Sequence, residues 1–96
     1  MQQKFTLTAL QITPEFLIAD GDLVKYAAKG DTDNYVLRAE ARVTDGSENW
    51  FTMQVVKDGV IYTATQGIRA IRFNLASLGT SVEIDIEINS TKKTGI

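Results

Sequence analysis

Residues 82–89 read VEIDIEIN, and this stretch decides the fold class. Aliphatic and polar residues alternate strictly along it, which is the period of a β-strand with one buried face and one solvated face. The aliphatic positions are all β-branched, and β-branched side chains favour strands. They are Val82, Ile84, Ile86 and Ile88. The sequence therefore predicts a half-buried strand here.

The same period recurs upstream. Residues 35–44 alternate throughout, and residues 45–49 have the composition of a turn. Two further β-rich runs flank Asp58-Gly59, and an Asp-Gly pair between such runs is a strong hairpin signal. We therefore predict a three-stranded meander over residues 35–66, with Phe51 on its core side.

Two segments are harder to assign. Residues 20–34 are rich in Asp and Gly, and we predict a long connection with one edge strand near Leu23 to Tyr26. Residues 68–78 fit a helical stripe or a strand, and we favour a strand to about Leu75 because Ile and Phe suit a pleated surface. A short helix remains the alternative there.

Length and pattern together predict the architecture. A chain of 96 residues forms one domain with one core. We place a single β domain at residues 1–89 and a flexible C-terminal tail at residues 90–96. About seven short strands favour an all-β fold, a small β-sandwich, with a small β-barrel as the alternative.

Composition excludes several kinds of chemistry. The chain has no Cys and no His, so disulfides, the usual zinc sites and thiol or imidazole catalysis are excluded. No activated nucleophile or acid–base pair is recognisable, so we predict no enzymatic activity and no cofactor. The net charge of −2 makes nucleic acid an improbable partner. Residues 1–5 lack a signal-peptide pattern, so we expect a cytoplasm, or a particle assembled within one, as the location and no membrane.

Part of the chain resembles a known family. Residues 71–88 contain Phe73-Asn74-Leu75, then Leu78-Gly79-Thr80, then an alternating strand. That order is similar to the corner of an immunoglobulin-like or fibronectin-type sandwich, although Val82 stands near the family's corner Tyr and the usual Pro is missing. Too little chain follows for a final strand. The resemblance therefore implies either a shift by one strand or an open sheet edge that a partner could fill.

Small sandwiches without cysteine or signal peptide also resemble the decoration (auxiliary) proteins of phage capsids. This resemblance implies an immunoglobulin-like structural protein that is located in the virion or the host cytoplasm and acts through protein–protein contacts or as an oligomer. Fold similarity alone does not establish function.

Three groups of polar residues are candidates for a site. Glu83, Asp85 and Glu87 share one strand face, which we interpret as solvated. Arg38, Glu40 and Arg42 form a second charged face, which would complement the first row if the two strands were neighbours. We expect these residues to pair within the chain, and the alternative is a register-setting contact between subunits. The aspartates and the Asn of residues 20–34 could bind Ca²⁺, but their spacing matches no EF-hand, so we interpret them as turn residues.

The aromatic residues supply the remaining hypothesis. Trp50 begins a strand beside a loop, and aromatics and Arg are enriched at protein interfaces. We therefore predict contact with a protein partner or with other copies of the chain. The predicted contact residues are Tyr26, Asn34, Arg38, Arg42 and Trp50. The alternative is a module that binds single-stranded nucleic acid or carbohydrate on an aromatic and basic face.

Overall fold

The structure, a computed structural model, describes residues 1–19, 22–30, 34–46, 48–64, 68–77 and 81–89. In these residues the chain forms nine β-strands and no helix. The strands are β1 (Gln2–Leu7), β2 (Gln11–Ile12), β3 (Phe16–Leu17), β4 (Leu23–Gly30), β5 (Val36–Arg42), β6 (Phe51–Val55), β7 (Tyr62–Ala64), β8 (Ala70–Ser77) and β9 (Val82–Asn89). The predicted tail, residues 90–96, lies outside the described part of the chain.

The strands form two antiparallel sheets. The first sheet has the order β1-β9-β4-β7, and the second has the order β2-β8-β5-β6 with β3 also paired to β8. The prediction of an all-β sandwich is confirmed, and the barrel alternative is wrong because the two sheets do not close on each other. The strands β2 and β3 lie along one edge of β8, and Pro14, which has no N–H to donate, lies between them.

The connectivity follows from one long antiparallel ribbon. If β2 and β3 count as one interrupted strand, the first half of the chain pairs with the second half. The pairs, from the middle outward, are β5·β6, β4·β7, β2/β3·β8 and β1·β9. Folding this ribbon over adds β4·β9 and β5·β8 and produces two sheets. Eight strands in this double Greek-key order are a jelly roll.

This order differs from the immunoglobulin-like arrangement that residues 71–88 resemble. In an immunoglobulin domain one sheet holds strands A, B, E and D, and the other holds C, F and G. Here the first and last strands are neighbours, and β9 lies between β1 and β4. The open edge expected near the last strand is therefore absent. The edges of the described sheets are instead β1 and β7 in one, and β2/β3 and β6 in the other.

The core lies between the sheets, and its centre is aromatic. Phe73 is fully buried, and its ring lies 5.5 Å from the ring of Tyr26 in an edge-on arrangement and 6.3 Å from Phe5. Edge-to-face packing is a favoured geometry of aromatic pairs. The aliphatic positions of residues 82–89 surround this centre, as their alternation predicted. The other large, fully buried side chains are Leu7, Val24, Leu37, Ile71, Leu75, Val82 and Ile84.

One of the two uncertain strand assignments changes in the structure, and the other is confirmed. The edge strand expected near Leu23 to Tyr26 is the central eight-residue strand β4, paired with β9 on one side and β7 on the other. Val24, Tyr26 and Ala28 alternate toward the core, a period that the surrounding Asp and Gly residues obscured. Residues 70–77 form β8, so the strand favoured to about Leu75 is confirmed, and the short helix is wrong over these residues. The turn expected through Gly79 lies outside the described residues.

The predicted meander is also wrong in its last strand. The strands β5 and β6 form a hairpin, but β7 pairs with β4 in the other sheet. Asp58-Gly59 does form a turn, and Gly59 adopts a φ of 74°. This turn docks on the end of β4, where Gly59 N donates to Ala28 O at 2.8 Å. It therefore redirects the chain between sheets.

Candidate functional site: outer faces and edges of the sandwich

The structure brings three of the five predicted contact residues to one face. Arg38 and Arg42 lie on the outer face of the second sheet, and the Trp50 ring packs on the same face. Asn34 is exposed in the connection before β5. Tyr26 is only 3% exposed and lies in the core, so it is not available for contact with a partner.

Trp50 is held between two arginines. The guanidinium carbon of Arg72 lies 4.2 Å from the centre of the indole ring, and that of Arg42 lies 5.3 Å from it. Both distances are within the range of cation–π attraction. We call Arg42, Trp50 and Arg72 the arginine–tryptophan cluster. The sequence placed Trp50 and Arg42 among the predicted contact residues but did not place Arg72 with them, because its position on this face depends on the β5·β8 register.

Two carboxylates complete this cluster. Arg42 Nη1 lies 3.1 Å from Glu15 Oε2, and Arg72 Nε donates to Glu40 Oε1 at 2.8 Å. The predicted pairing of Arg42 and Glu40 within the chain is thus confirmed. Their partners are Glu15 and Arg72, however, because the row of Glu83, Asp85 and Glu87 lies in the other sheet. The ion pairs between described residues do not include Arg38.

The carboxylate row of β9 lies on the outer face of the first sheet. Glu83 forms an ion pair with Lys4 at 3.4 Å, and Glu87 with Lys25 at 3.8 Å. Hydrogen bonds from the amides of Gln2 and Asn89 hold the pKa of the Glu87 carboxyl below its usual value. The ion pairs are exposed, and such pairs contribute little to stability. The interpretation of this row as a solvated face is confirmed.

A shallow groove crosses this outer face. Its volume is about 600 Å³, and it runs over Ala27 and Asp85, where the small Ala side chain leaves room between longer neighbours. Lys4 and Lys25 line it from the flanking strands β1 and β4, and Ile61 stands at its far side. The groove therefore offers carboxylate, ammonium and amide groups around an apolar floor.

Asp58 ties three elements together. Its Oδ1 accepts hydrogen bonds from Gly30 N at 2.8 Å and from the Tyr35 hydroxyl at 2.9 Å, and Lys29 Nζ donates to Oδ2 at 3.1 Å. The Gly30 amide, the Lys29 ammonium and the Tyr35 hydroxyl hold the pKa of the Asp58 carboxyl below its usual value. The turn at Asp58 is therefore an anchored structural feature.

Apolar side chains are exposed along two sides of the sandwich. On one side, at the β2/β3 edge, lie Leu10, Ile12 and Leu17. On the other side, along β6 and the connection to β7, lie Phe51, Val55, Val60 and Ile61. Phe51 is 57% exposed, so its predicted place in the core is wrong; it lies on an edge strand with no neighbour beyond it. Alternation alone cannot distinguish an edge from a centre.

The candidate calcium ligands are not assembled in the part of the chain that the structure covers. Asp22 Oδ2 accepts a hydrogen bond from Ala19 N at 3.0 Å, as expected of a turn residue. Asp20, Asp31 and Asp33 lie outside the described residues. Among those described, no three acidic side chains form a group that could hold a metal ion.

No described segment is a helix long and apolar enough to cross a membrane.

Comparison with protein-family models, with curated proteins and with solved structures found no match to this chain.

Proposed function

We propose that this protein is a non-enzymatic interaction module, and most concretely an accessory protein of a phage-like particle. Its role is to dock on a larger assembly or on other copies of itself. It acts by surface contact and performs no reaction.

The observation that carries this proposal is the exposure of apolar side chains on both sides of the sandwich. Leu17 is 69% exposed and Ile61 is 73% exposed, although the core between them is well filled. Single exposed apolar residues are ordinary, but contiguous apolar surface marks interaction sites. These residues lie on opposite sides of a flat body, so one copy can contact neighbours on both sides.

The arginine–tryptophan cluster and Arg38 provide the polar part of such a contact. Trp and Arg are the residues most enriched at the energetic centres of interfaces. The cluster is already paired within the chain, so it offers a rigid surface that loses little side-chain entropy on docking. Arg38, the register partner of the exposed Val55, adds a positive charge that forms no ion pair with the described residues.

The virion assignment draws support from the architecture. Jelly-roll sandwiches occur in viral capsid domains and in lectins, and this chain has that strand order. One fold hosts many functions, so the strand order raises this possibility without deciding it.

Cosedimentation tests the proposal. Particles are purified on a density gradient from the cells that naturally make the chain, and fractions are probed for the protein. We expect the protein in the particle fractions, released only by denaturant. Its recovery solely as a monomer by light scattering, away from any particle, would contradict the proposal.

The groove on the first sheet favours a second candidate, a carbohydrate-binding module. Amide and carboxylate groups around an apolar floor suit sugar hydroxyls and sugar faces. Titration with a panel of oligosaccharides should then shift the amide resonances of Lys25 and Asp85, and Ala27→Arg should abolish the shifts. Single-stranded nucleic acid is less favoured, because Tyr26 is buried and Arg42 and Arg72 are paired with carboxylates.

A further inference from the structure

Among the sheet edges of the described residues, β1 is the most regular. It pairs with β9 over six residues without a register shift. The edge strand β6 has a register shift opposite Ala39 and Glu40, β7 has three residues, and β2 and β3 have two each. Bulges, proline and short length are the usual devices that prevent strands from adding to an edge. The strand β1 has none of these three devices, and the edge charge that also discourages strand addition is present only as Lys4.

The hydrogen-bond pattern shows which groups of β1 are free. Met1 and Ile88 exchange both backbone hydrogen bonds, at 2.7 and 2.8 Å. In an antiparallel strand, the backbone N–H and C=O of one residue point to the same side, and this side alternates from residue to residue. The backbone groups of Gln3, Phe5 and Leu7 therefore also point toward β9. The N–H and C=O groups of Gln2, Lys4 and Thr6 therefore point away from the sheet.

An apolar cleft lies beside this edge, between the two sheets. It has a volume of about 260 Å³ and is lined by Phe5, Phe16 and Pro14 together with Gln3 and Thr13. The rings of Phe5 and Phe16 stack there at 6.0 Å, and both are only partly buried. A strand added to β1 would cover the open side of these rings.

We propose that the occupant of this edge is the β1 strand of a second copy, added antiparallel about a two-fold axis. The proposal deepens the proposed function, on which it rests, by naming one partner and one contact. The two four-stranded sheets would then join into a continuous sheet across the β1 seam. A second copy fits because the same strand supplies the free groups, the apolar ring and a compatible charge pattern.

Charge selects the register of this seam. If the axis passes through Lys4, the Lys4 side chains of the two copies face each other, which is unfavourable. If it passes through Phe5, Lys4 faces Thr6 of the second copy, and their outward backbone groups pair. On the outer face, one row of neighbouring side chains would then cross the seam: Lys29, Glu83 and Thr6 of one copy, followed by Lys4 and Asp85 of the second copy. The charged side chains in this row alternate between positive and negative. The two Phe5 rings meet at the cleft.

Substitutions at Thr6 test the seam without disturbing the fold. Thr6→Pro removes an outward N–H and leaves the β1·β9 hydrogen bonds intact, since edge strands tolerate proline on the solvent side. We expect a concentration-dependent dimer for the natural sequence in analytical ultracentrifugation from about 10 μM to about 1 mM, the range for a small interface. Thr6→Pro should be monomeric. Gln3→Pro is the matched control, because it places the same residue in β1 but removes an N–H that points toward β9. Unlike Thr6→Pro, it should lower the stability of the monomer.

Charge variants test the register and do not depend on tolerance of proline. Thr6→Lys places a cation beside Glu83 in its own chain but opposite Lys4 of the second copy. We expect dimerisation to weaken about two- to thirty-fold, from like charges facing each other on both sides of the axis. Thr6→Glu should have the opposite effect and tighten the dimer.

Cysteine crosslinking gives a direct readout, because the chain has no Cys of its own. In the register centred on Phe5, the Lys4→Cys/Thr6→Cys variant should form an intermolecular disulfide, and Lys4→Cys alone should form much less. A chain that is monomeric over the whole range, or a dimer that Thr6→Pro and Thr6→Lys leave unchanged, would overturn the proposal. A monomer that still cosediments with particles would overturn the β1 seam alone, whereas a β1 dimer that never cosediments would overturn the virion function alone.

Discussion

Two phenylalanines with similar sequence surroundings should respond very differently to truncation. Phe73 is fully buried against Tyr26 and Phe5, whereas Phe51 is 57% exposed. Phe73→Ala should cost about 3–5 kcal/mol of the free energy of unfolding, the usual cost of removing a buried ring. Phe51→Ala should cost less than about 1 kcal/mol, since it lies away from the core.

These magnitudes can be compared with the stability of the whole domain. A chain of 96 residues has a free energy of unfolding of about 5–14 kcal/mol, so Phe73→Ala removes a large share of it. With an m-value of about 2 kcal/mol/M, the urea midpoint should fall by about 1.5–2.5 M for Phe73→Ala and by less than about 0.5 M for Phe51→Ala.

Urea unfolding followed by circular dichroism measures both variants. If Phe73→Ala does not fold, Phe73→Leu leaves a smaller cavity and preserves the ranking. Equal midpoint shifts for the two positions would refute the placement of Phe51 on the edge and of Phe73 at the centre of the core.

Three further predictions follow from titratable and aromatic groups. Burial and the neighbouring Tyr62 raise the pKa of the Tyr26 hydroxyl to about 12, so stability present below pH ~10 should be lost as the pH rises toward 12. An absorbance titration should show one tyrosine that ionises at higher pH than the others, and Tyr26→Phe should remove that step. The lowered pKa of Asp58 means that stability should fall as the pH drops below the ordinary aspartate value of about 3.9. Thermal melts of Asp58→Asn should show a weaker acid dependence, and an unchanged one would contradict this role. Arg72→Gln should cost about 0.5–2 kcal/mol and shift the emission of Trp50, whereas exposed Lys57→Gln should change neither.

Local alternation predicted the strands well where it was unbroken. Residues 82–89 and 36–42 are strands, and the buried positions of both follow from their period of two. The carboxylate row of β9 was also predictable as a solvated face. These features depend on residues close in sequence, so no information about other strands was needed.

The pairing of strands was not predictable from the same patterns. Asp58-Gly59 has the composition of a hairpin turn, but the Asp58 carboxylate binds Gly30 N and the turn docks on β4. That contact spans distant parts of the chain and has no local signal. It separates β6 from β7 and decides that Tyr26 lies in a central strand and Phe51 on an edge.

The candidate site was predicted in part for the same reason. Trp50, Arg38 and Arg42 were identified as surface residues from composition and alternation. Arg72 and Glu15 join Arg42 only through β8 and the connection between β2 and β3. Their contribution depends on sheet order, which a single sequence did not reveal.

The nested pairing of the ribbon has a consequence for synthesis. The strand β9 is made last, yet it lies between β1 and β4, so the first sheet cannot assemble until residues 82–89 have left the ribosome. The middle hairpin, β5·β6, is the most local pairing, and β4·β7 and the rest of the second sheet can also pair before β9 is made. Until β9 pairs with β4, Val24 and Tyr26 remain exposed to solvent and to other nascent chains on the same mRNA. A stop codon just before residue 82 would leave every strand of the second sheet in place but remove the strand that joins β1 to β4 in the first sheet.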